Sequence, residues 1–237
     1  MYVPAHFAMT DDQVREHLRT CEMGELLTHD EDGLHATPLP WLYDEQAGPL
    51  GTLVAHVART NPQWRHVNPQ MGSGAESRSS EAMVLLRGPD HYVSPGWLPS
   101  KVEHGRVVPT WDYLTVHAYG PLVAVDDPDR VRDAVTRLTA RHETGRPQPW
   151  TPDEAPAPWL EGQLRAIVRI EVPITRWVAK AKMSQNKTPA DVEAEIAELR
   201  GSGRQEAAAY KQAVSLPAAQ RRAQVLADVG RRRPPGD

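Results

Sequence analysis

The chain has 237 residues, with 27 basic and 31 acidic side chains, which gives a formal net charge of −4. A hydrophobic fraction of 40% and a charged fraction of 24% are typical of a globular protein with a buried core. The sequence contains no apolar run of the roughly 20 residues that a membrane-spanning helix requires, and its single cysteine excludes an internal disulfide and a multi-cysteine metal site. We therefore expect a cytoplasmic protein without a membrane partner.

The first part of the chain predicts one helix followed by short strands. Thr10 and Gln13 have the spacing of a capping box, which predicts a helix that runs to about Thr20. Turn residues separate the apolar segments that follow, and Gly88-Pro89 predicts the turn of a hairpin. The predicted strands are Met23–Thr28, Leu34–Tyr43, Leu50–Val57, Ala82–Arg87 and Asp90–Val93, with a mobile loop over Asn68–Ser80.

The second part adds strands and the longer helices. Alternation of polar and apolar residues predicts a strand over Tyr113–Val125. Asp127-Pro128 is typical of a helix start and predicts a helix over Asp129–Glu143. Further predicted elements are a helix near Trp159–Arg165, a final hairpin of Ala166–Val172 and Arg176–Met183, and a helix from Thr188-Pro189 to Leu199. Many strands with few helices predict a mainly β protein with flanking helices, an α+β small barrel.

The charge is concentrated at the C-terminal end. Residues 200–237 carry eight basic and three acidic side chains, so this tail has a net charge of +5 and the rest of the chain −9. We predict a cofactor-binding domain over residues 1–186 and a helical basic extension over residues 187–237. Two interpretations of the tail stay open. It contacts DNA phosphates, or, as we favour, it is a solvated helix that ends in a disordered Arg231-Arg232-Arg233-Pro234-Pro235 terminus.

Four segments combine polar side chains that can bind a ligand with aromatic side chains that can enclose it. Each lies at the end of a predicted strand, where a barrel builds its sites on loops held by a rigid scaffold. The segments are His56–Trp64, Tyr92–Lys101, Val108–Tyr113 and Lys182–Asn186. The candidate site residues within them are His56, Arg59, Asn61, Trp64, Ser94, Trp97, Lys101, Thr110, Trp111, Lys182, Ser184 and Gln185.

Several candidates also have a structural interpretation, which for His56 is a core histidine that donates one hydrogen bond. Arg59 either binds an oxyanion through its guanidinium or is a solvated charge. For Asn61 we favour a helix cap before Pro62. Trp97 and Trp111 either line a flat ring system or pack at a subunit contact.

The opening Met1–Phe7 and the four segments, in the same order, resemble the PaiB-type family of FMN-binding split-barrel proteins. The resemblance covers about residues 1–199. It implies a homodimer of split barrels with a cofactor at the subunit interface, and a role as a negative transcriptional regulator. One branch of the family resembles heme-dependent piperazate synthases, which form an N–N bond from a hydroxylated ornithine. In that branch, the histidine that matches His56 is the axial iron ligand.

The resemblance leads to two cofactor hypotheses. In the FMN hypothesis, Arg59, Ser94 and Lys101 hold the phosphate, while Trp97 and Trp111 contact the ring. In the heme alternative, His56 ligates the iron and Thr110 or Ser184 positions an N-hydroxylated amine. A third hypothesis is a regulator without a cofactor that acts through the basic tail.

Asp112 departs from the family pattern, in which this position more often holds Asn. A carboxylate at this position disfavours the binding of an anion unless the carboxylate pairs with Lys101 or Arg59.

Overall fold

The structure is a computed structural model that describes residues 1–67 and 81–232. The loop predicted over Asn68–Ser80 and the last residues of the predicted disordered terminus lie outside these ranges. The chain divides into two compact units. Unit 1 contains Met1–Thr10, Gly88–Thr115 and Ala179–Asp237, and unit 2 contains Asp11–Arg87 and Val116–Val178. The predicted boundary between residues 186 and 187 stays a prediction; in the structure, the residues beyond it belong to unit 1.

The strands form two sheets, of five and four strands. In chain order the strands are β1 (Met23–Asp30), β2 (Gly33–Pro40), β3 (Leu42–Asp44), β4 (Thr52–Ala58), β5 (Glu81–Val93), β6 (Thr110–Pro121), β7 (Val123–Val125), β8 (Ile167–Pro173) and β9 (Arg176–Lys182). The five-stranded sheet has the order β2-β1-β5-β6-β9, and the four-stranded sheet has the order β3-β4-β8-β7.

Helices flank these sheets. They are α1 (Asp11–Thr20), α2 (Pro99–His104), α3 (Pro128–Glu143), α4 (Ala157–Arg165), α5 (Pro189–Gly201), α6 (Gln205–Tyr210) and α7 (Leu216–Arg232). A π-helical turn over Lys211–Ser215 joins α6 to α7, and a 3₁₀ turn over Pro62–Val67 follows β4. Among the described residues, no helix combines the length and the apolar character that crossing a bilayer requires.

Unit 2 is built around antiparallel strands and α3. β1 and β2 pair as a hairpin from Met23 opposite Pro40 to Asp30 opposite Gly33, whose positive φ of 113° closes the turn. The predicted start of α3 is confirmed, because the Asp127 side chain accepts a hydrogen bond from the Arg130 backbone N–H. The apolar stripe of α3 is buried, and a core cluster combines Leu42, Val54, Ala134 and Leu138.

Gly120 allows a very close approach of two backbone segments within unit 2. A Cβ atom at Gly120 would lie 2.0 Å from the backbone oxygen of Pro173. Real Cβ atoms do not approach another heavy atom this closely, so only glycine fits between β6 and the end of β8.

Unit 1 contains the ends of β5, β6 and β9 together with the C-terminal helices. The predicted start of α5 is confirmed, because Thr188 caps it by accepting a hydrogen bond from the Asp191 backbone N–H. Val192, Ile196 and Leu199 are buried, and their spacing places them on one face of the helix.

Two predicted strands are wrong as single elements. The predicted strand Leu34–Tyr43 divides into β2 and β3, which belong to different sheets. The division falls at Trp41, whose buried indole donates a hydrogen bond to the Gly24 carbonyl and turns the chain between the sheets. The predicted strand Tyr113–Val125 likewise divides into β6 and β7 where Pro121 removes a backbone donor.

Both predicted hairpins are also wrong. Gly88-Pro89 lies inside the continuous strand β5, and Gly88 is not among the described glycines with positive φ that a tight reversal would need. The final pair does not form a hairpin, because β8 pairs with β4 and β7 while β9 belongs to the other sheet. Backbone bonds from Ile174 to Gly51 and from Thr175 to Tyr119 direct the chain from one sheet to the other.

Candidate functional site

Unit 1 contains a cavity of about 400 Å³. This volume lies in the range of small-molecule sites. Its apolar lining consists of Phe7, Leu98, Val107 and Val108. Its polar lining consists of Ser100, His104, Arg106, Thr110, Asp112, Lys182, Ser184, Asn186, Lys187, Thr188, Asp191 and Arg222. Three residues predicted from the sequence, Thr110, Lys182 and Ser184, therefore meet in one cavity.

A buried cluster of charges lies behind the cavity wall. The Lys211 ammonium is fully buried and lies 2.5 Å from Asp112 Oδ2 and 2.5 Å from Glu195 Oε2. It also donates a hydrogen bond to the Met183 carbonyl. Because isolated charges are costly to bury, each of these groups stabilises the others in the protein interior. The sequence suggested Lys101 or Arg59 as the cation that pairs with Asp112. In the structure, Lys211 takes that place.

The hydroxyl and ammonium groups of the predicted residues are held in place by short hydrogen bonds. Lys182 Nζ donates to Thr110 Oγ1 and to the Trp111 carbonyl, both at 2.5 Å. Ser184 Oγ donates to Asp112 Oδ2 at 2.7 Å. Ser184 is also the one non-glycine residue with positive φ in the described ranges, at 69°. A left-handed conformation at a buried serine is strained and is typical of a functional position.

The far wall of the cavity comes from α5 and α7. The Asp191 carboxylate accepts hydrogen bonds from the Ser100 backbone N–H and hydroxyl, which ties α2 to α5. Lys187 lies 3.0 Å from Glu195 Oε1. Arg222 donates a hydrogen bond to the Asn186 carbonyl at 2.9 Å.

His91 lies in unit 1 outside the predicted set. Its side chain is fully buried, and neither ring nitrogen has a hydrogen-bond partner among the described residues. Burial, with a further contribution from the Lys211 charge, lowers the pKa of His91 to about 4. The imidazole is therefore neutral at pH 7.

The other predicted residues of unit 1 lie outside the cavity lining. Ser94 Oγ accepts a hydrogen bond from the Gly96 backbone N–H and caps a short turn. Gln185 is buried and bonds to the backbone of Ala181 and Met183, as a structural residue does. Trp97 is the last residue of the 3₁₀ turn that Ser94 caps, and Lys101 lies in α2, which follows that turn.

Trp111 is half exposed, and its indole donates a hydrogen bond to Asp90 Oδ1. Its ring centroid lies 6.4 Å from that of Tyr92, which is also exposed. These side chains present aromatic surface to solvent, as the ring-binding and subunit-contact interpretations both require.

The remaining predicted residues belong to unit 2. Arg59 makes a bidentate pair with Asp126, at 2.8 and 2.6 Å, and donates to the carbonyls of Arg165 and Ile167. The hydrogen bonds between the two side chains raise the pKa of Arg59 and lower the pKa of Asp126. The Arg59 guanidinium thus already binds a carboxylate and two carbonyls.

Asn61 and Trp64 make local bonds beside Arg59. Asn61 Oδ1 accepts from the Gln63 backbone N–H, the bond that the favoured cap interpretation requires. The Trp64 indole donates to the Arg59 carbonyl.

His56 combines partial burial with an unsatisfied nitrogen. Its Nδ1 is buried without a hydrogen-bond partner among the described residues. Burial lowers the pKa of His56, so the imidazole is neutral at pH 7. Neutral imidazole is the form of histidine that ligates iron. A ligating histidine usually donates its other ring N–H to an acceptor, and no such acceptor bonds to His56 Nδ1 among the described residues.

The sequence did not single out Lys187, Glu195, Lys211 or Arg222. No local pattern marks them, since Lys211 meets Asp112 across 99 positions of the chain. For Lys211 and Arg222 the sequence offers one signal, the high content of basic residues after position 199, and both interpretations of the tail place those residues at the surface.

Comparison with known proteins identifies the family. The model of the family described as "Putative FMN-binding domain" matches residues 1–176. The chain belongs to this FMN-binding domain family. It is 26% identical over 192 residues to the Bacillus subtilis protein named "Protease synthase and sporulation protein PAI 2", with 81% of this chain and 85% of that protein covered. It is 32% identical over 169 residues to an uncharacterized Aspergillus fumigatus protein, with 62% and 65% covered. The resemblance to PaiB-type proteins is thereby confirmed.

Solved structures confirm the fold class of this FMN-binding domain family member. The conserved hypothetical protein Rv2991 of Mycobacterium tuberculosis has a TM-score of 0.51 at 16% identity, covering 77% of this chain and 91% of that one. The flavocytochrome Anf3 of Azotobacter vinelandii has a TM-score of 0.51 at 11% identity, covering 76% and 72%. The predicted mainly β split barrel with flanking helices is therefore confirmed. α5, α6 and α7 lie beyond the family match.

Proposed function

We propose that this chain binds FMN, with the phosphate-bearing part of the cofactor in the unit 1 cavity. The observation that carries the proposal is the meeting of Thr110, Lys182 and Ser184 in one cavity of about 400 Å³, in a chain that belongs to an FMN-binding domain family. All three are among the candidate site residues that the sequence predicts.

The residues present fit an anionic ligand. Four cationic side chains line the cavity against two carboxylates, Asp112 and Asp191. Both carboxylates already accept hydrogen bonds from protein groups, so they repel an incoming anion less than free carboxylates would. Lys182 uses two of its three ammonium protons within the protein, and Thr110 accepts one of these bonds and keeps its own O–H, so both can donate to a phosphate. The Ser184 hydroxyl donates its proton to Asp112 and holds that carboxylate in place. Bound FMN would supply one- and two-electron redox chemistry.

The role in the cell forms part of the same proposal. The protein acts as a transcriptional regulator or cofactor-dependent sensor, as a homodimer. Support for the regulator comes from the resemblance to PaiB-type proteins and from the relative named for protease synthesis and sporulation. Support for the dimer comes from the exposed Tyr92 and Trp111 in unit 1, because exposed aromatic surface is typical of protein contacts. The second copy of this chain is the partner that we propose for it.

Titration of the purified protein with FMN, followed by flavin fluorescence, tests the proposal. Lys182→Met is expected to weaken FMN binding about tenfold, because it removes a charged hydrogen-bond donor. Lys180→Met is the matched control, since Lys180 lies two residues earlier on β9, with its ammonium over the Tyr113 ring and outside the cavity lining. A wild-type protein that does not bind FMN contradicts the proposal. Sedimentation velocity tests the dimer in the same samples.

Heme is the second candidate, and the neutral imidazole of His56 favours it. In this alternative the protein is a piperazate-synthase-type enzyme that forms an N–N bond from an N-hydroxylated ornithine-like substrate. Titration with hemin is then expected to give a Soret band that His56→Ala abolishes and His117→Ala retains. His117 is a suitable control because burial lowers its pKa in the same way. A Soret band that survives His56→Ala contradicts the ligand assignment.

A further inference from the structure

The C-terminal segment contributes to the cavity, although it lies beyond the family match at residue 176. Lys187, Thr188 and Asp191, at the start of α5, line one side, and Arg222 of α7 lines the cavity with them. Fully buried Lys211 anchors this segment to Asp112 of β6. The tail therefore takes part in building the cavity of unit 1.

The charges of this wall are only partly used by the protein itself. The hydrogen bond of Arg222 goes to the Asn186 carbonyl, a neutral acceptor, so that bond neutralises no charge. Lys187 shares Glu195 with Lys211, because the two ammonium groups contact opposite oxygens of one carboxylate. Lys211 is also paired with Asp112, so the charge balance has to be taken over the whole lining of the cavity. There, four cationic side chains face two carboxylates. The cavity therefore keeps a net positive charge.

Geometry and chemistry together suit a phosphate monoester. A guanidinium presents several N–H donors in a fixed plane and binds phosphate oxygens in pairs. An ammonium adds a compact charge with donors that remain available. The hydrogen bond to Asn186 fixes the Arg222 side chain to the backbone of the β9–α5 connection. Its other N–H groups have no acceptor among the described residues, so they can bind a ligand.

We propose that Arg222 and Lys187 bind the phosphate group of the ligand, so that the C-terminal segment sets the preference of the cavity for phosphorylated molecules. This inference rests on the proposed function and extends it, because it assigns phosphate recognition to residues outside the family match. Arg222, one of the basic residues of the tail, therefore binds a small ligand.

The test compares FMN with riboflavin, which lacks the phosphate, in the wild type, Arg222→Gln and Arg221→Gln. Arg221 is the matched control, because it precedes Arg222 on α7, is exposed and lies outside the cavity lining. Arg222→Gln is expected to weaken FMN binding about tenfold, as the loss of a charged hydrogen-bond donor does, and to leave riboflavin binding unchanged. Arg221→Gln is expected to leave the affinity for both ligands unchanged. Equal losses in the two variants, or an equal loss for both ligands, overturn the inference.

A second measurement separates this inference from the proposed function. Inorganic phosphate is expected to raise the melting temperature of the wild type and of Arg221→Gln more than that of Arg222→Gln. If the wild type shows this phosphate effect without binding FMN, the inference stands and the FMN proposal fails. If FMN binds equally well to all three proteins, the FMN proposal stands and the inference fails. A wild type that responds to neither probe contradicts both.

Discussion

Replacing Lys211 by Met tests whether the buried charge cluster holds unit 1 together. Met fills a similar volume but leaves the carboxylates of Asp112 and Glu195 without the ammonium that lies 2.5 Å from each. Both carboxylates are almost completely buried. Removing one member of a buried ionic network costs about 3–5 kcal/mol. For a chain of this length, that corresponds to a fall in melting temperature of about 10 °C.

Differential scanning calorimetry of the wild type and of Lys211→Met measures this change, with Lys180→Met as a control that removes an ammonium from the same unit. A triple variant, Lys211→Met with Asp112→Asn and Glu195→Gln, removes the unpaired charges. It is expected to recover much of the lost stability, because neutral groups of similar shape cost far less to bury. If Lys211→Met melts at the wild-type temperature, or if the triple variant melts below the single variant, the reasoning is refuted.

Three further predictions concern single positions. Because the folded protein holds the pKa of His91 at about 4, below its usual 6.5, the unfolded chain binds more protons as the pH falls. Protonation of His91 in the unfolded chain should therefore lower the free energy of unfolding by about 2 kcal/mol from pH 7 to pH 5. Urea titrations of His91→Leu should lack this decrease. A pH dependence equal to that of the wild type would disprove the prediction. Ser184→Gly should be more stable than Ser184→Ala by about 1 kcal/mol. Both variants lose the hydroxyl, but only glycine adopts a φ of 69° without strain. Equal unfolding midpoints for the two variants would argue against strain at this position. Gly120→Ala should lower the free energy of unfolding by about 2–3 kcal/mol, because the added methyl group clashes with Pro173. Gly162→Ala, in open space on α4, should raise the free energy of unfolding slightly. Similar chemical-denaturation curves for the two variants would contradict the packing argument.

Signals that act over a few residues predicted the structure well. The side chains of Asp127 and Thr188 accept the hydrogen bonds that start α3 and α5, and both caps can be read from the adjacent Pro and the residues after it. Alternation of polar and apolar residues predicted most of β6. In each case, the atoms that decide the structure lie within one or two turns of each other along the chain.

Signals that act over long distances were missed. Trp41 ends β2 because its indole reaches Gly24, a choice that the alternating sequence around it does not reveal. The candidate site shows the same limit. Asp112 was recognised as a departure from the family pattern, but its partner lies 99 positions away in an alanine-rich helical segment. Which cation a buried carboxylate pairs with depends on the tertiary fold.

The division of unit 1 among three stretches of chain affects how the protein is made. Every residue of unit 2 has left the ribosome once residue 178 emerges, so unit 2 can begin to fold at that point. Unit 1 is still incomplete then, because α5 to α7 have not yet been synthesised. Until then, the Asp112 carboxylate has no Lys211 to meet. A premature stop codon after residue 199 would therefore spare every residue of unit 2 and still damage a site whose other residues were synthesised much earlier.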